Sequence, residues 1–157
     1  MVRHPGFRVP CGSGLSQAFN VPSSQRGSLL ATFNSGFTMV DANGGYWQDG
    51  KSAAPLRNGA ASMVIYKDGR VDVVNWNATA PGPDVAAVRQ NLGLLVDHGT
   101  ISPEVDSTTT NAWGKTIRNP PFVCRSPLGL RRHGSLLFAG RAPTPVHPLT
   151  TLPPAPT

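Results

Sequence analysis

Two β-branched segments joined by Asp68-Gly69 restrict this chain more than any other feature in it. Ala61-Ser-Met-Val-Ile-Tyr66 and Arg70-Val-Asp-Val-Val-Asn-Trp76 are rich in the residues that fit a pleated, half-buried surface. Asp-Gly between two such runs supplies the positive φ that a tight hairpin turn requires. The spacing predicts an antiparallel pair over 61–76, with Val71 and Val73 on one face and Asp72 on the other.

Around this hairpin the signals are weaker. The continuous apolar run over 29–33 (Leu29, Leu30, Ala31, Phe33) predicts a short buried strand. Residues 41–50 hold the turn signals Asn43-Gly44 and Asp49-Gly50, which predict a hairpin or a loop folded over the end of that strand. Pro81-Gly-Pro83 breaks the chain, and Pro83 or Asp84 then opens a helix. Val85, Val88, Leu92 and Leu95 recur at helical spacing, which turns Arg89 and Gln90 outward and makes Gly99 the C-terminal cap. The polar run over 101–111 reads as a loop, with short strands at 121–124 and 135–138. The expected fold class is therefore α+β: a mostly antiparallel, incomplete mixed sheet with one packed helix and irregular, Pro-rich termini. Residues 1–27 form an irregular segment, 28–140 a partial domain, and 141–157 a Pro-rich disordered tail.

The formal charge of +6 points at first to a polyanion. Its distribution does not. The excess comes from Lys115, Arg118, Arg125, Arg131, Arg132 and Arg141, and no acid follows Asp106. These cations lie in a Pro-rich region and are not interleaved with aromatics on a folded face, so no nucleic-acid partner is expected. The two cysteines, Cys11 and Cys124, permit one disulfide that spacing neither supports nor opposes. His4, His98, His133 and His147 are scattered, so no metal site and no cofactor is expected. No apolar run is long enough to span a membrane, and no apolar stretch follows Arg3 as a signal peptide requires.

An ordered series of motifs carries the functional expectation. Phe33-Asn-Ser-Gly-Phe37 is followed by Asp41-Ala-Asn-Gly-Gly-Tyr-Trp-Gln-Asp-Gly50 and by Leu56-Arg-Asn-Gly-Ala-Ala-Ser-Met-Val-Ile-Tyr-Lys-Asp-Gly69. Then come Asp84-Val-Ala-Ala-Val-Arg-Gln-Asn-Leu92, Val96-Asp-His-Gly99, Trp113-Gly114, and Arg125-Ser126 with Leu128-Gly129. Over roughly 28–130 this order resembles the phosphodiester glycosidase domain family, in its actinobacterial form. The family includes the lysosomal enzyme that uncovers mannose 6-phosphate by removing N-acetylglucosamine.

The resemblance implies hydrolysis of a sugar-1-phosphodiester to a sugar and a phosphomonoester. The partner it implies is a glycosyl phosphodiester or a cell-envelope glycan. It makes Arg125 the candidate phosphate contact, because a guanidinium offers a planar fork of donors to phosphate oxygens. Asn34 is assigned substrate hydrogen bonding, with Gly36 permitting close backbone approach and Phe37 and Ser126 completing the binding set. Asp97 is the candidate catalytic carboxylate, set against an ordinary solvent-exposed role at a helix end. Members of the family are commonly exported.

Two other readings remain open. Relatives continue past the Arg-Ser-x-Leu-Gly motif into an acidic segment that is missing here, and the basic, Pro-rich tail resembles translation in an altered frame. The chain then reads as a truncated, catalytically inactive relative. Alternatively it is a carbohydrate- or envelope-binding module that stacks sugars on Tyr46, Trp47, Trp76 and Trp113, although aromatics this few are more often core residues.

Overall fold

The computed structural model describes residues 21–33, 36–37, 39–107 and 126–139. Five strands build the main sheet: β1 (Tyr46–Gln48), β2 (Lys51–Ala54), β3 (Ala61–Tyr66), β4 (Val71–Asn75) and β5 (Val85–Gln90). Their order is β2-β1-β5-β3-β4. Two small hairpins follow, β6 (Val96–Asp97) with β7 (Thr100–Ile101), and β8 (Leu128–Leu130) with β9 (Leu136–Phe138). Every described pairing is antiparallel, so the sheet is not mixed.

The hairpin forms as its sequence dictates. Met63 pairs with Val73 and Ile65 with Val71, while Asp72 lies opposite Val64 on the other face. Gly69 holds φ at +88° in the turn, and Arg70 both pairs with Asp68 at 2.7 Å and lies over the Tyr66 ring. The Arg70 guanidinium holds the exposed Asp68 carboxyl below its ordinary pKa. Asp49-Gly50 likewise makes the turn of the β1–β2 hairpin.

The packed helix expected from Asp84 onward is absent. Val85–Gln90 is instead the central strand, paired with β1 on one side and β3 on the other. A helix would bury one stripe and leave Arg89 and Gln90 in water. Here Val85, Val88, Arg89 and Gln90 are all buried, with Val88 and Gln90 at 0% exposure. A strand covered on both faces shows no alternation of polar and apolar residues, and its valines then imitate a helical stripe. Among the described residues, helical structure is confined to a 3-10 segment, Ser23–Ser28, and one turn, α1 (Met39–Ala42). Gly99 caps no helix: with His98 it forms the positive-φ turn between β6 and β7.

The run over 29–33 is not a buried strand either. Leu30 is fully exposed and Leu29 nearly half exposed, since the run joins no edge of the described sheet. The core lies on one face of the sheet, where Val64, Trp76, Val85 and Val88 are covered by Trp47, Leu56, Tyr66 and Val74. The expected strand at 121–124, the tail over 141–157 and both cysteines lie outside the described residues.

Candidate active site at one end of the sheet

Strand register gathers most of the motifs at one end of the sheet. Tyr46 at the start of β1 lies opposite Arg89, Ser62 near the start of β3 lies opposite Gln90, and Ala61 lies opposite Asn75 at the end of β4. One side chain holds this end together. The buried Gln90 Oε1 accepts from the backbone N–H of Gly45 (3.0 Å) and of Arg57 (2.8 Å). Its Nε2 donates to the Arg57 carbonyl (2.9 Å) and to Ser62 Oγ (3.0 Å). All four bonding positions of the amide are thereby used, which is what a fully buried glutamine requires.

Arg89 points to the opposite face from Gln90. Its Nη2 donates to the Phe37 carbonyl (2.6 Å) and its Nη1 to the Gln90 carbonyl (2.8 Å). Only 4% of Arg89 is exposed, and this desolvation lowers its pKa from the ordinary arginine value. The group stays charged, because an arginine does not deprotonate in a protein. Burial raises the pKa of the neighbouring Tyr46, with the Arg89 charge opposing the shift. The Tyr46 hydroxyl therefore stays protonated and donates to Gln48 Oε1 at 2.5 Å.

Gly36 and Phe37 cross over the end of β5. Gly36 sits at φ +105°, and a Cβ there would fall on the side-chain amide of Asn91. Glycine is required twice over, for the dihedral and for the close approach. Asn91 Oδ1 is itself buried and has no hydrogen-bond partner among the described residues.

The C-terminal hairpin reaches the head of the same segment. Phe33 stacks on Phe138 with ring centroids 4.9 Å apart and planes inclined at 25°. Phe138 pairs with Leu128, and the Ala139 N–H donates to the Pro127 carbonyl. Ser126, exposed, thus lies one residue from a clasp that also holds Phe33. Asn34 and Arg125 lie outside the described residues.

Asp97 occupies a different hollow. About 440 Å³ in volume, it is lined by Gly59, Val74, Asn75, Trp76, Asn77, Asp97 and His98. His98 Nδ1 lies 2.7 Å from Asp97 Oδ1, on a turn that leaves the imidazole almost wholly exposed. The pair leaves Nε2 open to solvent or ligand. Trp76 is not a stacking platform: it is buried, and its Nε1 donates to the Ala78 carbonyl at 2.8 Å. Among the described residues, no bond or ring contact joins Asp97 to Gly36 or Phe37. No cluster of three His, Cys, Asp or Glu side chains suited to a metal occurs among them, and no helix is long and apolar enough to cross a membrane.

Of the residues singled out from sequence, Gly36 and Phe37 meet the end of β5, Ser126 flanks the Phe33 clasp, and Asp97 stands apart. Arg89, Gln90 and Asn91 were missed as site components. The signal for them was present in the Asp84-to-Leu92 motif, but a helical reading sent the first two into solvent. No family model, curated protein or solved structure matches the chain.

Proposed function

We propose that the chain hydrolyses a glycosyl 1-phosphodiester, in the manner of the phosphodiester glycosidases that its motifs resemble. The observation that supports this reading is the clasp. Phe33 and Ser126 flank the two motifs assigned to substrate and phosphate, and both segments meet at Phe138. Water adds across the anomeric C–O bond: its oxygen becomes the sugar hydroxyl, and the bridging oxygen leaves with the phosphomonoester. Arg125 binds the phosphate charge.

The test is a nitrophenyl sugar-1-phosphodiester with and without added phosphatase. Cleavage at the anomeric bond yields colour only when phosphatase is present, whereas cleavage at phosphorus releases nitrophenolate directly. We expect phosphatase-dependent colour from the full chain, and a drop in kcat/KM of roughly 100-fold or more for Arg125→Ala. A folded chain without turnover refutes the hydrolase reading.

The hollow lined by Asn75, Asn77 and Asp97 favours a second reading, glycan binding without hydrolysis. Its amides and carboxylate match the donors and acceptors of a sugar ring. Saturable glycan binding by a chain that turns nothing over selects it.

A further inference from the structure

We propose that the hollow beside the β6–β7 turn binds an unphosphorylated sugar, with His98 Nε2 accepting a hydrogen bond from one of its hydroxyls. The inference rests on the glycan-binding reading of this hollow, and it deepens that reading by naming a contact atom and the charge of the ligand.

Three observations carry it. First, there is room: the hollow measures about 440 Å³ and its lining is built wholly from described residues. One wall is fixed in advance. The Trp76 N–H donates to the Ala60 carbonyl (3.0 Å), the Trp76 carbonyl accepts from Gly59 (2.8 Å), and the indole Nε1 is tied to Ala78. Second, the sequence puts an imidazole where a turn does not ask for one. His98 and Gly99 are the two turn residues between the paired Asp97 and Thr100, with φ at +47° and +81°. Asparagine, aspartate or glycine is the ordinary first residue of such a turn. Third, Asp97 Oδ1 lies 2.7 Å from His98 Nδ1. The carboxylate holds the proton on Nδ1, so the neutral ring presents a bare acceptor at Nε2. No other bond to the His98 side chain occurs among the described residues.

The lining names the ligand. Asn75 and Asn77 supply amides that both donate and accept, while Nε2 and the second Asp97 oxygen accept. No lysine or arginine lines the hollow, and the charge of Asp97 repels an anion. Sugar hydroxyls, which donate and accept in turn, meet this set. A phosphate, which arrives charged and rich in acceptors, does not.

The experiment titrates the ¹⁵N-labelled full chain with glucose and with N-acetylglucosamine, and with glucose 1-phosphate as the charged comparison. The ring nitrogens of His98, assigned by their loss in His98→Asn, are followed by long-range ¹H–¹⁵N correlation. The Nε2 signal shifts saturably with at least one neutral sugar, and glucose 1-phosphate binds the hollow more weakly than glucose. His98→Asn keeps a favoured turn residue before Gly99, so Tm stays level or rises while affinity falls roughly five-fold or more. Asn77→Ala, at an exposed position past the end of β4, weakens binding in the same way and does not depend on the turn. Saturable sugar binding that neither variant weakens overturns this inference and leaves the glycan-binding reading standing. A folded wild type that binds neither neutral sugar overturns both. Tighter binding of glucose 1-phosphate, with the same Nε2 response, overturns the assignment of a neutral ligand.

Discussion

Gln90→Leu lowers the stability of the folded chain by about 3–5 kcal/mol and removes ligand binding with it. The substitution keeps the volume and the apolar contacts of the strand, so the loss comes from the bonds. Gly45 N–H, Arg57 N–H and the Arg57 carbonyl lose a partner that lies inside the protein, while Ser62 keeps its own bond to Ala60. The three groups belong to the strand-end segments that frame the site. Their release frees the start of β1 and the loop before β3 together. Urea denaturation reads the effect directly, as a lower midpoint at an unchanged m-value. A loss below about 1 kcal/mol contradicts the role of Gln90 as the clamp.

Gly45→Ala has an effect of similar size by a different route. A Cβ at Gly45 collides with the Pro55 carbonyl and the Leu56 Cα, all of them backbone, so no rotamer change relieves it. The two segments have to separate. That breaks the Gly45 N–H bond to Gln90 Oε1 and the reciprocal Gln90 N–H bond to the Gly45 carbonyl. We expect a loss of about 3 kcal/mol or more, and less than additive behaviour when it is combined with Gln90→Leu, because both changes dissolve the same contact. Gly50→Ala is the control for backbone effects alone: its φ is also positive, but a Cβ there meets nothing. It is expected to cost about 1–2 kcal/mol. Equal losses at the two glycines contradict the close-approach account.

These two residues show where sequence was legible and where it was not. The β3–β4 hairpin was readable because one half-buried pair with a two-residue turn writes its own pattern: alternation, β-branching and Asp68-Gly69. The Asp49-Gly50 turn was readable from its dipeptide, although the hairpin it closes runs over 46–54 rather than 41–50, and the last strand was readable only from its short apolar run. The central strand was not. Val85 and Val88 stand three apart whether the segment is helix or strand, and only the pairing of Val88 with Val64 and Trp47 separates the two. Once β5 was read as a helix, Gln90 became a surface residue, and its four bonds to positions 28 to 45 residues away left no local trace. The run over 29–33 failed in the opposite direction, since apolar composition does not say whether a sheet edge is free to receive it. For the site, the need for glycine at position 36 was legible from Asn-Ser-Gly, but its neighbour Asn91 was not.

The central claim is that the segment headed by Phe33 and the segment carrying Ser126 to Gly129 meet to form one site. A double-mutant cycle on Phe33→Ala and Phe138→Ala tests it most directly, with unfolding free energy and kcat/KM measured on all four chains. If the segments meet, the two rings couple by about 0.5–1.5 kcal/mol in stability, and the double variant loses less kcat/KM than the two single losses multiplied together. Additivity within about 0.3 kcal/mol in both measurements means the rings act independently, and the two motifs then do not share a site.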